Sequence, residues 1–206
     1  GVTKRLSTQP AGAAQTTISG LTSFDTDGFT VGAADTANTN SQTFVAWNWK
    51  ETADAGFDIV SYTGTGSNRT VAHNLGVVPQ MIIVKRYNDG TASWMVYHQS
   101  LGNNKYLSLD ATAAEDTGHW NSTSPTASVF SVDTDQRVNA NGASYIAYVF
   151  AQKQGLSRFG SYVGNGNADG TFIYTGFKPA WVMTKTINAV DDWQILDNKR
   201  NGFNPN

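Results

Sequence analysis

The sequence predicts an all-β protein built from tandem antiparallel β-sandwich units of about 100 residues, jelly-roll or lectin-like, with little helix. Three observations carry this. Short stretches rich in β-branched and aromatic residues alternate with Gly, Asn, Ser and Thr turns. Helical periodicity is almost absent, and the only glutamates are Glu51 and Glu115. SYTGTGS at 61–67 returns as SYVGNGN at 161–167.

The predicted strands follow in order. FDIVSYT (57–63) is the first clear one, and QMIIVKRY (80–87) and SWMVYH (93–98) come next, joined by the turn signal NDGTA. KYLSL (105–109), SVFSV (128–132) and ASYIAYVFA (143–151) complete the set, while ATAAED (111–116) reads as one short helix or turn. In the last strand Ile146, Tyr148 and Phe150 share one face, and Tyr145, Ala147 and Val149 the other. Val45, Trp47 and Trp49 occupy the first of these faces in the earlier copy, so that face is expected to be core. Each such aromatic would contribute roughly 2–3 kcal/mol on burial.

The repeat spans nearly the whole chain. Tyr62, Gly64, Gly66, Gly76, Pro79 and Lys85 match Tyr162, Gly164, Gly166, Gly176, Pro179 and Lys185, and Trp94 falls on Trp193. Upstream, Lys4, Leu6, Asn38 and TFVAWNW (43–49) match Lys105, Leu107, Asn139 and SYIAYVF (144–150). The expected roles of the shared glycines and proline are structural, as turns that need positive or fixed φ. Trp47, Trp94 and Trp193 are expected in the core. Three phases fit. Residues 57–152 can be a complete unit, with 1–56 the second half of one unit and 153–206 the first half of another. In that case the chain, which opens on Gly1, is an excerpt of a longer array. Alternatively the units are 1–101 and 102–206. In the third phase the two half-units close on each other as one sandwich.

Composition excludes several classes. The 206 residues carry no cysteine, so no disulfide framework or thiolate metal site is available. The net charge of -2 lacks the basic excess of a nucleic-acid binder. No apolar run is long enough for a membrane span, and GVTKRLSTQP has no signal-peptide character. The low charged fraction, 15%, with 12% aromatics, suits a β-rich extracellular or virion protein rather than a cytosolic enzyme.

Candidate chemistry is sparse. His73, His98 and His119 have no histidine partners across the repeat, and no nucleophile or phosphate-loop motif occurs. Asp25 with Asp27, Asp133 with Asp135, and Asp191 with Asp192 are the carboxylate pairs a glycosidase could use. DTDG resembles the start of a calcium loop but no spaced Glu follows, so no cofactor is expected and calcium is the single candidate. Ordinary Asx turns are the simpler reading. Trp120, in the polar stretch GHWNSTSPT, has no aromatic counterpart. It either stacks on a sugar from the surface or caps one end of the sandwich, and His119, Trp120 and Asn121 are the candidate ligand contacts. Asn68-Arg69-Thr70 and Asn121-Ser122-Thr123 also match the glycosylation sequon.

The string Y-x-G-x-G, HNLGxxPxMIIVK, WxVYH, FxV and NxxGxxYIAYxF resembles a repeated module of phage tail-fibre and virion structural proteins. LTSFDTDGFTVG and TFVAWNWK are similar to the preceding module, and FGSYVGNGNADGTFIYTGFKPAWVM to the following one. A looser, fold-level similarity runs to receptor-binding sandwiches of the H-type lectin sort. The resemblance implies a non-enzymatic structural or adhesive tail component, folded in the host cytoplasm and extracellular when functional. Its expected partners are other tail subunits, copies of itself in an oligomer, and a host-surface glycan. A secreted bacterial carbohydrate-binding or adhesin module and a polysaccharide depolymerase are the rival readings, and a pure spacer that binds nothing but other virion proteins is a further alternative.

Overall fold

The computed structural model describes residues 2–8, 12–17, 19–90 and 92–199. In chain order, β1 (Lys4–Arg5), β2 (Gln15–Thr16), β3 (Leu21–Phe24), β4 (Phe29–Val31) and α1 (Asp35–Asn38) come first. The centre holds β5 (Phe57–Thr63), β6 (Arg69–Ala72), β7 (Met81–Arg86), β8 (Met95–His98), β9 (Lys105–Ser108), β10 (Asp116–Thr117), β11 (Val129–Val132), α2 (Gln136–Asn139) and β12 (Ser144–Phe150). β13 (Trp181–Thr184) and β14 (Gln194–Asp197) follow. The protein is all-β and sandwich-like, and its paired strands are antiparallel. No helix among the described residues is long and apolar enough to cross a membrane.

The main sheet has six strands in the order β10-β9-β8-β7-β12-β5. β7 to β10 form a meander, and β12 returns from far along the chain to fill the gap between β7 and β5. One face carries Ile82, Val84, Met95, Tyr97, Tyr145, Ala147 and Val149, packed against the β6–β11 ladder and Val138 of α2. The opposite face carries Met81, Val96 and Leu107, and is covered by Phe159, Met183, Ile187 and Trp193 from the last flank. Both faces are thus apolar and covered, which explains the nearly unbroken run MIIV in β7.

This arrangement corrects the expected core. Tyr145, Ala147 and Val149 make the tightly buried face of β12, while Ile146, Tyr148 and Phe150 are half-buried on the face turned toward the flanks. Trp94 is buried as expected, but Trp193 is half-buried and Trp47 is 41% exposed. Lys85 lies on an interior strand with its side chain buried, its ammonium donating to the Ala92 carbonyl and lying 5.9 Å from the Trp94 ring. Burial lowers its pKa, opposed by the charges of Asp110 and Asp89. ATAAED holds no helix: residues 111–115 are irregular and β10 begins at Asp116.

The repeat recurs in the coordinates. Lys4 faces Thr16 as Lys105 faces Thr117. Trp181 faces Asp197 and Thr184 faces Gln194, as Met81 faces His98 and Val84 faces Met95. α1 and α2 occupy matching positions, and the amides of Asn38 and Asn139 donate to the carbonyls of Gly32 and Asp133 at 2.9 and 2.7 Å. Gly66 and Gly166 share φ near +70° (71° and 68°), and Gly76 and Gly176 are also left-handed. The copies differ at Tyr62 and Tyr162. Tyr62 stacks on Tyr145 with centroids 5.0 Å apart and donates to the Val138 carbonyl at 2.7 Å. Tyr162 is 55% exposed, and residues 158–180 belong to no strand. Gly64 and Pro79 are buried, whereas Gly164 and Pro179 are exposed.

Candidate functional site

The expected ligand residues lie on the loop leaving β10. The backbone there turns through Gly118 (φ +127°), His119 (+74°), Asn121 (+50°) and Ser122 (+46°). Three non-glycine residues in the left-handed region concentrate strain of the kind found at functional loops, on the order of 1–3 kcal/mol each. The strain is held by a tight frame. Gly118 N donates to Asn104 O at 2.8 Å, His119 N to Asp133 Oδ2 at 2.8 Å, and Asp133 N returns to His119 O at 3.0 Å.

These turns send His119 and Trp120 inward. Trp120 is 2% exposed, its indole Nε1 donating to Lys105 O at 3.0 Å and its ring meeting Tyr97 edge to face. The surface-stacking reading of Trp120 is therefore corrected: the ring caps the core beneath the loop, because the left-handed residues on either side rotate it away from solvent. His119 is 1% exposed and lies against the Tyr106 ring with centroids 4.0 Å apart. Neither ring nitrogen has a hydrogen-bond partner, and Nδ1 is 3.8 Å from Asp135 Oδ1. Burial pushes the imidazole pKa down to about 4 despite the opposing charge of Asp135. The ring is therefore neutral at pH 7.

Asn121 stays at the surface side, its Oδ1 accepting from Asn68 Nδ2 at 2.7 Å. It lines a cleft of about 480 Å³ with Asn104, Thr117, Gly118, Ser122 and Asp133. That lining offers amides, hydroxyls and one carboxylate. The cleft residues Asn104, Thr117 and Ser122 were not legible as a site, since they scatter along the sequence as ordinary loop polar residues.

The other candidates resolve into structure. His73 bridges Thr126 O at 3.1 Å and Leu75 N at 3.3 Å, and His98 Nδ1 accepts from Ser100 N at 3.2 Å. Asp135 caps α2, accepting from Arg137 N at 2.7 Å and from its guanidinium at 3.0 Å. Asp133 accepts from Asp135 N at 2.8 Å as well as from His119 N. Asp25 accepts from Thr30 Oγ1, and Asp191 from Asp192 N and Thr186 Oγ1. These carboxylates do the turn and cap chemistry expected of Asx motifs. Among the described residues no group of three or more His, Asp or Glu is placed to hold a metal ion.

No curated protein and no solved structure matches the chain. One family model does match it, over residues 1–206: the chain belongs to the family described as a domain of unknown function, DUF7483.

Proposed function

We propose that the chain is a non-enzymatic structural and adhesive component of a phage tail, and that the cleft beside Asn121 takes a host-surface glycan. The single observation carrying the binding role is a contrast between the two copies. The β1–β2 and β9–β10 pairs share one register, but the sequence that follows them is not shared: TGHWNS (117–122) stands where the other copy has TTISGL. A strained, anchored loop with a sequence found in one copy supplies a polar cleft. Its lining of Asn, Thr, Ser and Asp suits a polyhydroxylated ligand held by hydrogen bonds, without a stacking aromatic. The phage assignment rests on the resemblance of the repeated strings. Weak single contacts would be multiplied in a fibre by copy number.

The test is calorimetric titration of the purified chain with bacterial capsule and lipopolysaccharide fragments, beside the variants Asn104→Ala and Asn121→Gly. The second removes the amide while keeping a residue suited to φ +50°. Saturable binding that each variant weakens by about tenfold, as for a lost hydrogen bond, is the expected result. No binding to any fragment sinks the adhesive role, and release of reducing ends sinks the non-enzymatic one. Mass spectrometry of purified particles should find the protein in the virion.

A further inference from the structure

We propose that the open edge of β13 is a strand-acceptor site whose occupant is residues 43–50 of the same chain, so that the two flanks close into a second unit. The central unit supplies the template. There β7 pairs with β8 on one side and with β12 on the other, with Phe150 opposite Met81 and Tyr148 opposite Ile83. β13 and β14 reproduce β7 and β8 in identical register, but among the described residues β13 has no strand on its other side. The sequence equivalent of β12 is 43–49, which belongs to no strand.

Carrying the β12–β7 register across the repeat places Trp49 opposite Trp181. The two rings already meet there, edge to face with centroids 6.1 Å apart, and Trp47 lies 6.3 Å from the same indole. The segment is thus beside the edge it would occupy. The same transfer sets Phe44 opposite Tyr162, where the centre has the Tyr145–Tyr62 stack.

Burial points the same way. Phe29 is 41% exposed where its counterpart Phe130 is 1%, and Phe44 is 48% exposed where Tyr145 is fully buried. Large apolar side chains left in water at core positions of the repeat mark a core that has not closed.

The contacts between flanks and centre argue for an occupant from the same chain. Trp94 donates to Ser7 O at 3.1 Å, and Trp193 to Ser108 O at 2.8 Å. Ala14 N donates to Tyr87 O at 2.8 Å, and Glu115 N to Ile187 O at 2.7 Å. Each pair is one contact made twice with the partners exchanged. Trp49 and Phe150, equivalent positions, touch each other at 6.1 Å. Reciprocal contacts and a self-contact between equivalents are the signature of a two-fold relation. A two-fold has two bodies, so 2–50 and 157–199 must together be the second one.

The experiment uses the absence of native cysteine. Ala46→Cys with Thr184→Cys places thiols at the counterparts of Ala147 and Val84, which face each other across β12 and β7. Facing residues of antiparallel strands have Cα separations of about 4.5–5.5 Å, within disulfide reach. Oxidation should give a monomer with an internal disulfide, mapped by peptide mass. No bond, or only a disulfide-linked dimer, overturns the proposal. Hydrogen exchange on the unaltered chain keeps the test open if the double variant misfolds. Amides of 43–50 and 157–163 should exchange ~10²-fold or more slowly than unpaired chain, the rate also expected for 144–150, which is paired on both sides. Exchange at the unpaired rate overturns the proposal.

Discussion

Trp94 and Trp193 donate the same hydrogen bond from equivalent places, to Ser7 O at 3.1 Å and to Ser108 O at 2.8 Å. The two bonds tie the centre to opposite flanks, and both are made by a polar handle on a large apolar ring. Trp94→Phe and Trp193→Phe each keep an aromatic ring and delete the donor, leaving a serine carbonyl without it. Each should cost about 1–2 kcal/mol in urea unfolding. If the handles are packing accidents, the loss should follow the smaller ring alone, so that Trp94→Phe, at the buried site, shifts the midpoint and Trp193→Phe, at the half-buried one, hardly does.

Gly64→Ala tests the close approach of chain segments at the end of β5. A Cβ there would stand 2.1 Å from Ala140 O and 2.9 Å from the Tyr145 ring. Both are fixed: Ala140 N donates to Tyr145 OH at 2.7 Å, and Tyr145 OH donates to Gln136 O at 2.6 Å. The substitution should therefore destabilise by about 3 kcal/mol or more, lowering Tm by roughly 6–12 °C. Gly28→Ala, with nothing within 4 Å of the added methyl, should leave Tm within about 1 °C. Equal shifts for the two would refute the close approach.

Much of this architecture was legible because the repeat and the strand composition point the same way. FDIVSYT coincides with β5, and the predicted runs at 80–87 and 143–151 end within a residue of β7 and β12. Which face of β12 is the core was not legible, since both faces are apolar and both are covered, by α2 and β6–β11 on one side and by the flanks on the other. Tyr145 and Phe150 look alike in the sequence, and only the pairing of β12 between β5 and β7 separates them. β6 escapes because RTVA is short and follows a polar turn. Trp120 misleads for a backbone reason: four polar neighbours suggest solvent, but positive φ at His119 and Asn121 turns the indole inward. Asp135 reads as a turn residue and is in fact the cap of a four-residue helix.

Acid should loosen the centre through His119. Its folded pKa of about 4 lies below the ordinary 6.5, so the native state favours the neutral ring. As pH falls through 6.5 the unfolded chain takes up a proton that the folded chain refuses until about 4. The stability is full above 6.5, is lost between 6.5 and 4, and is level below that. The shift corresponds to about 3 kcal/mol across the window. His98, whose pKa is also lowered by burial, adds in the same sense. Asp135 is lowered overall, since hydrogen bonds from Arg137 outweigh the effect of its burial, so its own loss comes below pH 3.8 and does not overlap. Melting curves from pH 7 to 4.5 should show the slope, and His119→Asn, which tolerates φ +74° but does not titrate, should flatten it. An unchanged slope would mean the ring is not what titrates.

Asp133→Asn separates architecture from chemistry at the cleft. Asp133 Oδ2 accepts from His119 N and Oδ1 from Asp135 N, both at 2.8 Å. An amide can serve one of these donors but turns a second N–H toward the other, so one bond is replaced by a donor–donor contact. The expected cost is about 1–3 kcal/mol, measured by denaturant midpoint. A structural carboxylate also predicts how binding responds. Glycan affinity should fall in step with loop order, and stabilising the fold by lower temperature should restore part of it. A bond-cleaving carboxylate predicts the opposite pairing: polysaccharide turnover in the parent protein, and its loss in Asp133→Asn by several orders of magnitude with the denaturant midpoint hardly changed. Both oxygens already accept backbone N–H groups, of His119 in the strained loop and of Asp135 at the start of α2, and the first pattern is the expected outcome.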